Sequence, residues 1–189
     1  MGKMTTIQCS VFIATSLDGF IARKDGTIDW LTRPEDAIPG EDYGYQAFFD
    51  SVDTLVMGRN TYELALTFDA WPYAGKRVVV LSSASPQVPP HLAGKVEIMS
   101  GSPAEIVQRL AERGARRVYV DGGNTIQRFL RAGLIQELTI TRLPVLIGEG
   151  IPLFGALDRD IKLQHVETKV YPNGFVQSKF RMMNDQTGL

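Results

Sequence analysis

A single cysteine, Cys9, serves all 189 residues, so no intramolecular disulfide framework exists and a reducing, cytoplasmic setting is expected. Cys9 lies in an apolar strand pattern and reads as a small buried hydrophobe rather than a nucleophile. Histidine is almost as scarce. His91 and His165 stand apart, no Cys/His cluster has metal-ligand spacing, and no metal is expected. No apolar stretch is long enough to span a membrane, and the N-terminus lacks the layout of a secretory signal, so no membrane partner is expected. Neither sign of charge dominates. With 20 Lys+Arg against 21 Asp+Glu the net charge is −1, which leaves no basic field to recruit nucleic acid. The nearest basic cluster, Arg109, Arg113, Arg116 and Arg117, falls at a helix end and a strand start, where the helix dipole favours cations. Repeats, low-complexity segments and internal linkers are absent, and residues 1–189 read as a single domain.

What is present is an ordinary globular composition, 44% apolar and 22% charged, with a regular alternation of patterns. Strand signals fall at 7–15, 54–57, 77–81, 96–99, 117–120 and 137–147, and helical patterns at 42–51, 60–68, 103–113 and 124–131. The third helix is clearly punctuated. Ser102 and Glu105 form a capping-box pattern, Pro103 takes the first helical position and Gly114 follows the last turn. Such alternation calls for a mostly parallel sheet with helices on both faces. Two further strand patterns at 162–170 and 175–181 flank Tyr171-Pro172-Asn173-Gly174, so the sheet is expected to end in an antiparallel hairpin. Residues 29–44 are polar, carry Pro34 and Pro39, and are too long for a mere connector, which points to a functional lid.

Two segments look like phosphate cradles at helix mouths. Met57-Gly58-Arg59-Asn60-Thr61-Tyr62 follows the apolar run Thr54-Leu55-Val56, and Asp121-Gly122-Gly123-Asn124-Thr125 follows Arg117-Val118-Tyr119-Val120. In each, glycine and small polar residues leave backbone N–H groups at a helix N-terminus free for an anion. Arg59 is a cation where the helix dipole disfavours one, a placement that an anionic ligand would reverse. Two cradles in one chain suit a ligand with several phosphates, of which a dinucleotide is the natural candidate. Each has a plainer reading, a strand-to-helix turn and a surface charge.

Taken in order, Ile13-Ala14, Asp18-Gly19-Phe20-Ile21-Ala22, the Met57 and Asp121 segments and Val80-Leu81-Ser82-Ser83 resemble the dihydrofolate reductase superfamily. Leu143-Pro144-Val145-Leu146-Ile147-Gly148-Glu149-Gly150, followed by Pro152-Leu153-Phe154, resembles one branch of it. That branch is the reductase domain of the bifunctional riboflavin-biosynthesis deaminase–reductase and its stand-alone relatives. The resemblance implies a three-layer α/β fold and a reductase that uses NADPH. By position, Ala14 and Ile21 match the groups that hold the nicotinamide carboxamide, and Gly58, Arg59 and Thr61 match the first phosphate-binding mouth. Ser82 and Ser83 match the strand end that receives the 2′-phosphate, and Gly122, Gly123, Asn124 and Thr125 match the cradle under the pyrophosphate. The cofactor carries the hydride chemistry, and the protein supplies orientation and charge.

The substrate side departs from both known patterns. The folate enzymes place a carboxylate on the helix after the first loop, whereas here Glu41 and Asp42 stand at the beginning of that region. The riboflavin branch carries Asp-Asn-Pro after its first phosphate-binding helix, whereas here Thr67-Phe68-Asp69-Ala70-Trp71-Pro72-Tyr73 occupies the place. The candidate pocket residues are Trp30, Tyr45, Phe49 and Asp121, with Asp18 behind them; Tyr45 and Phe49 also read as core packing. No proton donor stands out. The leading expectation is hydride transfer to a small heterocycle, with 5-amino-6-(5-phosphoribosylamino)uracil or a pterin or folate as candidates. The alternative is a nucleotide-binding regulatory or scaffold protein that has lost catalysis. The long 137–147 pattern offers apolar positions for a homodimer.

Overall fold

Uninterrupted apolar runs such as Leu55-Val56-Met57 and Val78-Val79-Val80 can form strands only where both faces are covered. The computed structural model, which describes residues 7–183, covers them with helices. The order is β1 (Gln8–Thr15), β2 (Phe20–Ala22), α1 (Tyr45–Ser51), β3 (Thr54–Gly58), α2 (Arg59–Ala65), β4 (Arg77–Leu81), β5 (Val96–Met99) and α3 (Pro103–Glu112). There follow β6 (Arg117–Asp121), α4 (Gly123–Arg131), β7 (Glu137–Arg142), β8 (Ile151–Pro152), β9 (Leu163–Val170) and β10 (Val176–Met182). Eight strands form one sheet in the order β5-β4-β3-β6-β1-β7-β10-β9, and β2 pairs with β8 in a small separate ribbon. Only β10 runs against the others, between β7 and β9. The architecture is the three-layer, mostly parallel sheet with an antiparallel C-terminal hairpin that the sequence predicts.

Successive residues of each strand feed two cores. Val56, Val79 and Val120 pack with Ile106 and Leu110 of α3 and Ile126 and Phe129 of α4. Their neighbours Leu55, Met57, Val78 and Val80 pack with Phe49 of α1 and Tyr62 of α2 on the other face. The Ser102–Glu105 capping box is formed, which satisfies N–H groups at the start of α3. Cys9 is buried in the first core, and its thiol is pushed up to about 12 by that burial.

Three boundaries differ from expectation. The helix predicted over 42–51 begins at Tyr45, because Tyr43 and Gly44 take left-handed backbone angles that interrupt a helix. The helix predicted over 60–68 ends at Ala65, where the Thr67 hydroxyl donates to the Leu64 carbonyl at 2.7 Å. The 137–147 strand stops at Arg142: Leu143 N–H donates to Thr15 at the end of β1, and Pro144 has no N–H to continue a ladder. Beyond it, the Asp18 carboxylate accepts the Ile147 and Gly148 N–H groups, so Asp18 shapes this loop. The apolar positions Leu138 and Ile140 are buried in the core, which removes them as a dimer surface.

Candidate active site

One acidic residue aligns the site. Asp53 accepts the N–H groups of Arg116 and Arg117, each at 2.9 Å, and so fixes the start of β6 against β3. The resulting register sets Met57 beside Asp121, and therefore Gly58 beside Gly122. The chain leaves β3 outward to β4 and leaves β6 across β1 to β7, so strand order reverses between these two strands. Crevices of open α/β sheets form outside the carboxyl ends of strands at such reversals. Both cradles lie there, shoulder to shoulder.

The glycines are required by the contact between the two mouths. A Cβ on Gly122 would meet Thr61 Oγ1 at 2.5 Å, and one on Gly58 would meet Thr125 Oγ1 at 3.1 Å. Gly122 also has φ +88°, in the left-handed region. A Cβ on Gly123 would meet Ile21 Cδ1 at 3.0 Å and the Pro152 carbonyl at 3.2 Å, so the β2–β8 ribbon lies directly over the second mouth.

A cleft of 1110 Å³ opens above these mouths. Ala14, Ile21, Gly58, Arg59, Thr61 and the run Gly122-Gly123-Asn124-Thr125 all line it, as do Tyr45 and Asp121. Four expected site residues stand elsewhere. Ser82 and Ser83 follow Leu81, whose end of β4 lines the cleft, but are not themselves among its lining residues; Ser82 N–H follows the sheet to Met99. Trp30 is 1% exposed, packed among Leu143 and Phe175 beneath the loop, and it does not reach the cleft. Phe49 points into the core behind Tyr45, with Lys76 Nζ 5.0 Å from its ring centre.

Several lining residues were not read from the sequence. Phe12, Tyr73 and Tyr119 complete an aromatic compartment around Asp121. Phe12 meets Tyr45 edge-on at 5.8 Å, and the Tyr119 hydroxyl donates to the Phe12 carbonyl at 3.0 Å. Arg128 lines the cleft one turn beyond Asn124 and donates to the Gly101 carbonyl at 3.0 Å. The i,i+4 spacing from Asn124 was the available signal for Arg128. Nothing local marks Phe12 or Tyr119, which look like core residues of buried strands.

Electrostatically, Asp121 is the unusual group. Burial among the rings pushes its carboxyl up to about 6, against the opposing pull of the Gly122 N–H and the Tyr119 hydroxyl. The Gly122 N–H donates to Oδ1 at 2.8 Å. Burial, with the nearby Asp121 charge, pushes the Tyr45 hydroxyl up to about 12 and raises those of Tyr73 and Tyr119 further. Arg59 pairs with Glu63 at 3.4 Å, both side chains about half exposed, a contact of little energetic weight.

The loop 29–44 supplies the outer wall. It is tied down at both ends: Arg23 makes a two-point pair with Asp29, and the C-terminal hairpin grips Tyr43. Asn173 Nδ2 donates to the Asp36 carbonyl and to the Tyr43 hydroxyl, both at 2.8 Å. Gln177 Nε2 donates to the Tyr43 carbonyl at 2.9 Å, and the Tyr43 ring stacks on Phe175. Among the described residues no metal-binding cluster occurs, and no helix is long and apolar enough to cross a membrane.

With this geometry in hand, the chain can be compared with known proteins. The family model of the RibD C-terminal domain matches residues 8–177. YwjB of Bacillus subtilis (strain 168), itself uncharacterised, is 34% identical over 164 residues, 85% of this chain and 90% of its own length. A crystal structure from Shewanella sp. PV-4, provisionally assigned to riboflavin biosynthesis, superposes with a TM-score of 0.87 at 41% identity, over 94% of this chain and 100% of that one. Dihydrofolate reductase from Enterococcus faecalis, complexed with NADP(H), shares the fold with a TM-score of 0.62 at 20% identity, over 96% of this chain and 99% of its own.

Proposed function

The chain belongs to the RibD C-terminal domain family, and on that premise we propose that it is an NADPH-dependent reductase of a small heterocycle. The observation that carries the reading is the pairing of two glycine mouths at the sheet's reversal point with an aromatic compartment that ends on Asp121. The cradle fits a dinucleotide: there is no room for a Cβ at Gly122 or Gly123, the mouth of α4 presents free N–H groups, and Arg59 and Arg128 border it.

When bound, NADPH supplies the hydride that, with one proton, converts a C=N bond to CH–NH. The chain's own residues do the rest. The backbone N–H groups of Gly123 and Asn124 would seat phosphate oxygens, with Gly122, whose own N–H is held by Asp121, giving the close backbone approach. Ala14 and Ile21 would bound the nicotinamide end, and the rings of the compartment exclude water. Asp121, its carboxyl pushed up to about 6, is mostly ionised at neutral pH but lies close enough to its midpoint to exchange a proton beside the reacting ring. Buried Cys9 suits a reducing, cytoplasmic setting, and the partner for a homodimer would meet the outer edge of β9, all eight residues of which are exposed.

Arg59 provides the test. A guanidinium makes two parallel charge-assisted bonds to a phosphate, and a hydrogen bond to a charged group is worth ~1.5–3 kcal/mol. Arg59→Ala is therefore expected to weaken NADPH binding roughly ten- to a hundredfold and to leave NADH little changed. Fluorescence titration of both cofactors decides it, and equal losses would detach Arg59 from the 2′-phosphate. NADPH binding without oxidation across a panel of aminopyrimidines and pterins would favour a non-catalytic nucleotide-binding protein.

A further inference from the structure

Beyond the glycine mouths the cleft changes character. Its inner walls are the rings of Phe12, Tyr45, Tyr73 and Tyr119, and its floor is Asp121. Three guanidinium groups line the whole cleft. Arg59 and Arg128 stand on the two cradle helices, and among the described residues only Arg33 lies elsewhere, on the loop. That loop also brings three carboxylates to the cleft, Asp36, Glu41 and Asp42. Asp36 shares a turn with Arg33, donating its N–H to the Arg33 carbonyl at 3.1 Å. Glu41 accepts the Tyr43 N–H at 2.7 Å. Asp42 accepts the N–H groups of Gln46 and Gly44, which hold its carboxyl below the usual range.

Apart from the two arginines of the cradle helices, then, the cleft is lined by four acids and one cation. A phosphate brought there would lose hydration without gaining a counter-charge, and the loop acids, exposed or half-exposed, would repel it in a manner that salt screens. Flat rings suit the aromatic walls, which favour stacked or edge-on contacts. The Asp121 oxygens accept N–H donors, and Gly122 occupies only one side of Oδ1. We propose that the substrate of the reductase inferred above is a flat amino-heterocycle, neutral or cationic and without a phosphate, seated between these rings with an N–H group on Asp121.

This proposal rests on the reductase reading but is tested apart from it. The probes are 5,6-diaminouracil, its N6-ribosyl derivative and the 5′-phosphate of that derivative, which vary size and charge on one ring. Each is titrated calorimetrically into the full chain, with and without saturating NADP⁺. The phosphate form is expected to bind at least tenfold more weakly than the ribosyl form. That gap is expected to narrow severalfold at high ionic strength and in Asp36→Asn. Equal or tighter binding of the phosphate form overturns the proposal, as does failure of all three probes to bind. A separate melting experiment with NADP⁺ alone reports on the reductase reading: no stabilisation there defeats that reading, whatever the ratio between the probes.

Discussion

Asp121 combines three constraints in one side chain: it ends β6, it accepts the N–H that opens the second cradle, and it is enclosed by aromatic rings. Its carboxyl rises from 3.8 to about 6 on folding, chiefly through desolvation. The sign follows from proton uptake. Between pH ~4 and ~6 the native state holds a proton that the unfolded chain has released, so stability falls as pH rises through that window. Above it the full cost of the buried charge remains. Asp121→Asn keeps an oxygen for the Gly122 N–H while removing the charge, and is expected to stabilise the fold by about 1–3 kcal/mol at pH 8 and little at pH 4. Urea unfolding at the two values measures this, and an equal effect at both would show that Asp121 is not desolvated. The same variant is expected to lower reductase turnover, since the amide neither exchanges a proton near neutral pH nor offers a charged acceptor to a ring N–H.

At the scale of elements, α2 and α4 begin so close together that each needs the other's glycine. Gly122→Ala meets both a left-handed φ of +88° and the Thr61 hydroxyl 2.5 Å from the new Cβ. Gly133, after the end of α4, has φ +67° but nothing within 4 Å of a Cβ. It isolates conformational strain from crowding. Gly133→Ala is expected to cost about 1 kcal/mol and to leave NADPH affinity unchanged. Gly122→Ala is expected to cost about 2–4 kcal/mol and to weaken NADPH binding at least tenfold. Chemical denaturation and cofactor titration of the two variants test this; matching losses would mean that the mouths have slack to separate.

For the whole molecule, the outer wall of the cleft is held by residues more than a hundred positions away in the chain. Asn173 and Gln177 of the terminal hairpin bond to Asp36 and Tyr43 of the loop, and Tyr43 keeps a left-handed φ of 57° under that grip. Asn173→Ala removes two of these bonds. Hydrogen exchange of residues 36–43 is then expected to accelerate, while amides of β3 and β6 keep their protection because they lie in the two cores. Unchanged exchange in the loop would show that ring packing on Phe175 and Tyr171 suffices. Cofactor and substrate together are expected to slow exchange in the same loop.

Much was written locally. Strand–helix alternation, the capping box at Ser102, the terminal hairpin and both glycine mouths were legible because each depends on neighbours in the chain: side-chain periodicity, capping hydroxyls, glycine's backbone freedom. Burial of Cys9 followed from its strand pattern in the same way. What lay beyond the sequence was which surfaces meet. Trp30 and Phe49 were expected in the pocket and turned inward, and Ser82 and Ser83 stop just beyond Leu81, the last residue of β4 on the cleft, since strand order and loop path decide which side of an aromatic or a strand end is open. The 137–147 pattern stopped at Arg142 because Thr15, Pro144 and Asp18 redirect it, two of them from the far end of the chain. Phe12, Tyr73 and Tyr119 reached one compartment with Asp121 only through pairing of strands far apart in sequence. The sequence alone determined the elements and the mouths of two helices. Tertiary structure decided that those mouths adjoin, through a register set by Asp53, and that an acid among aromatic rings stands beside them.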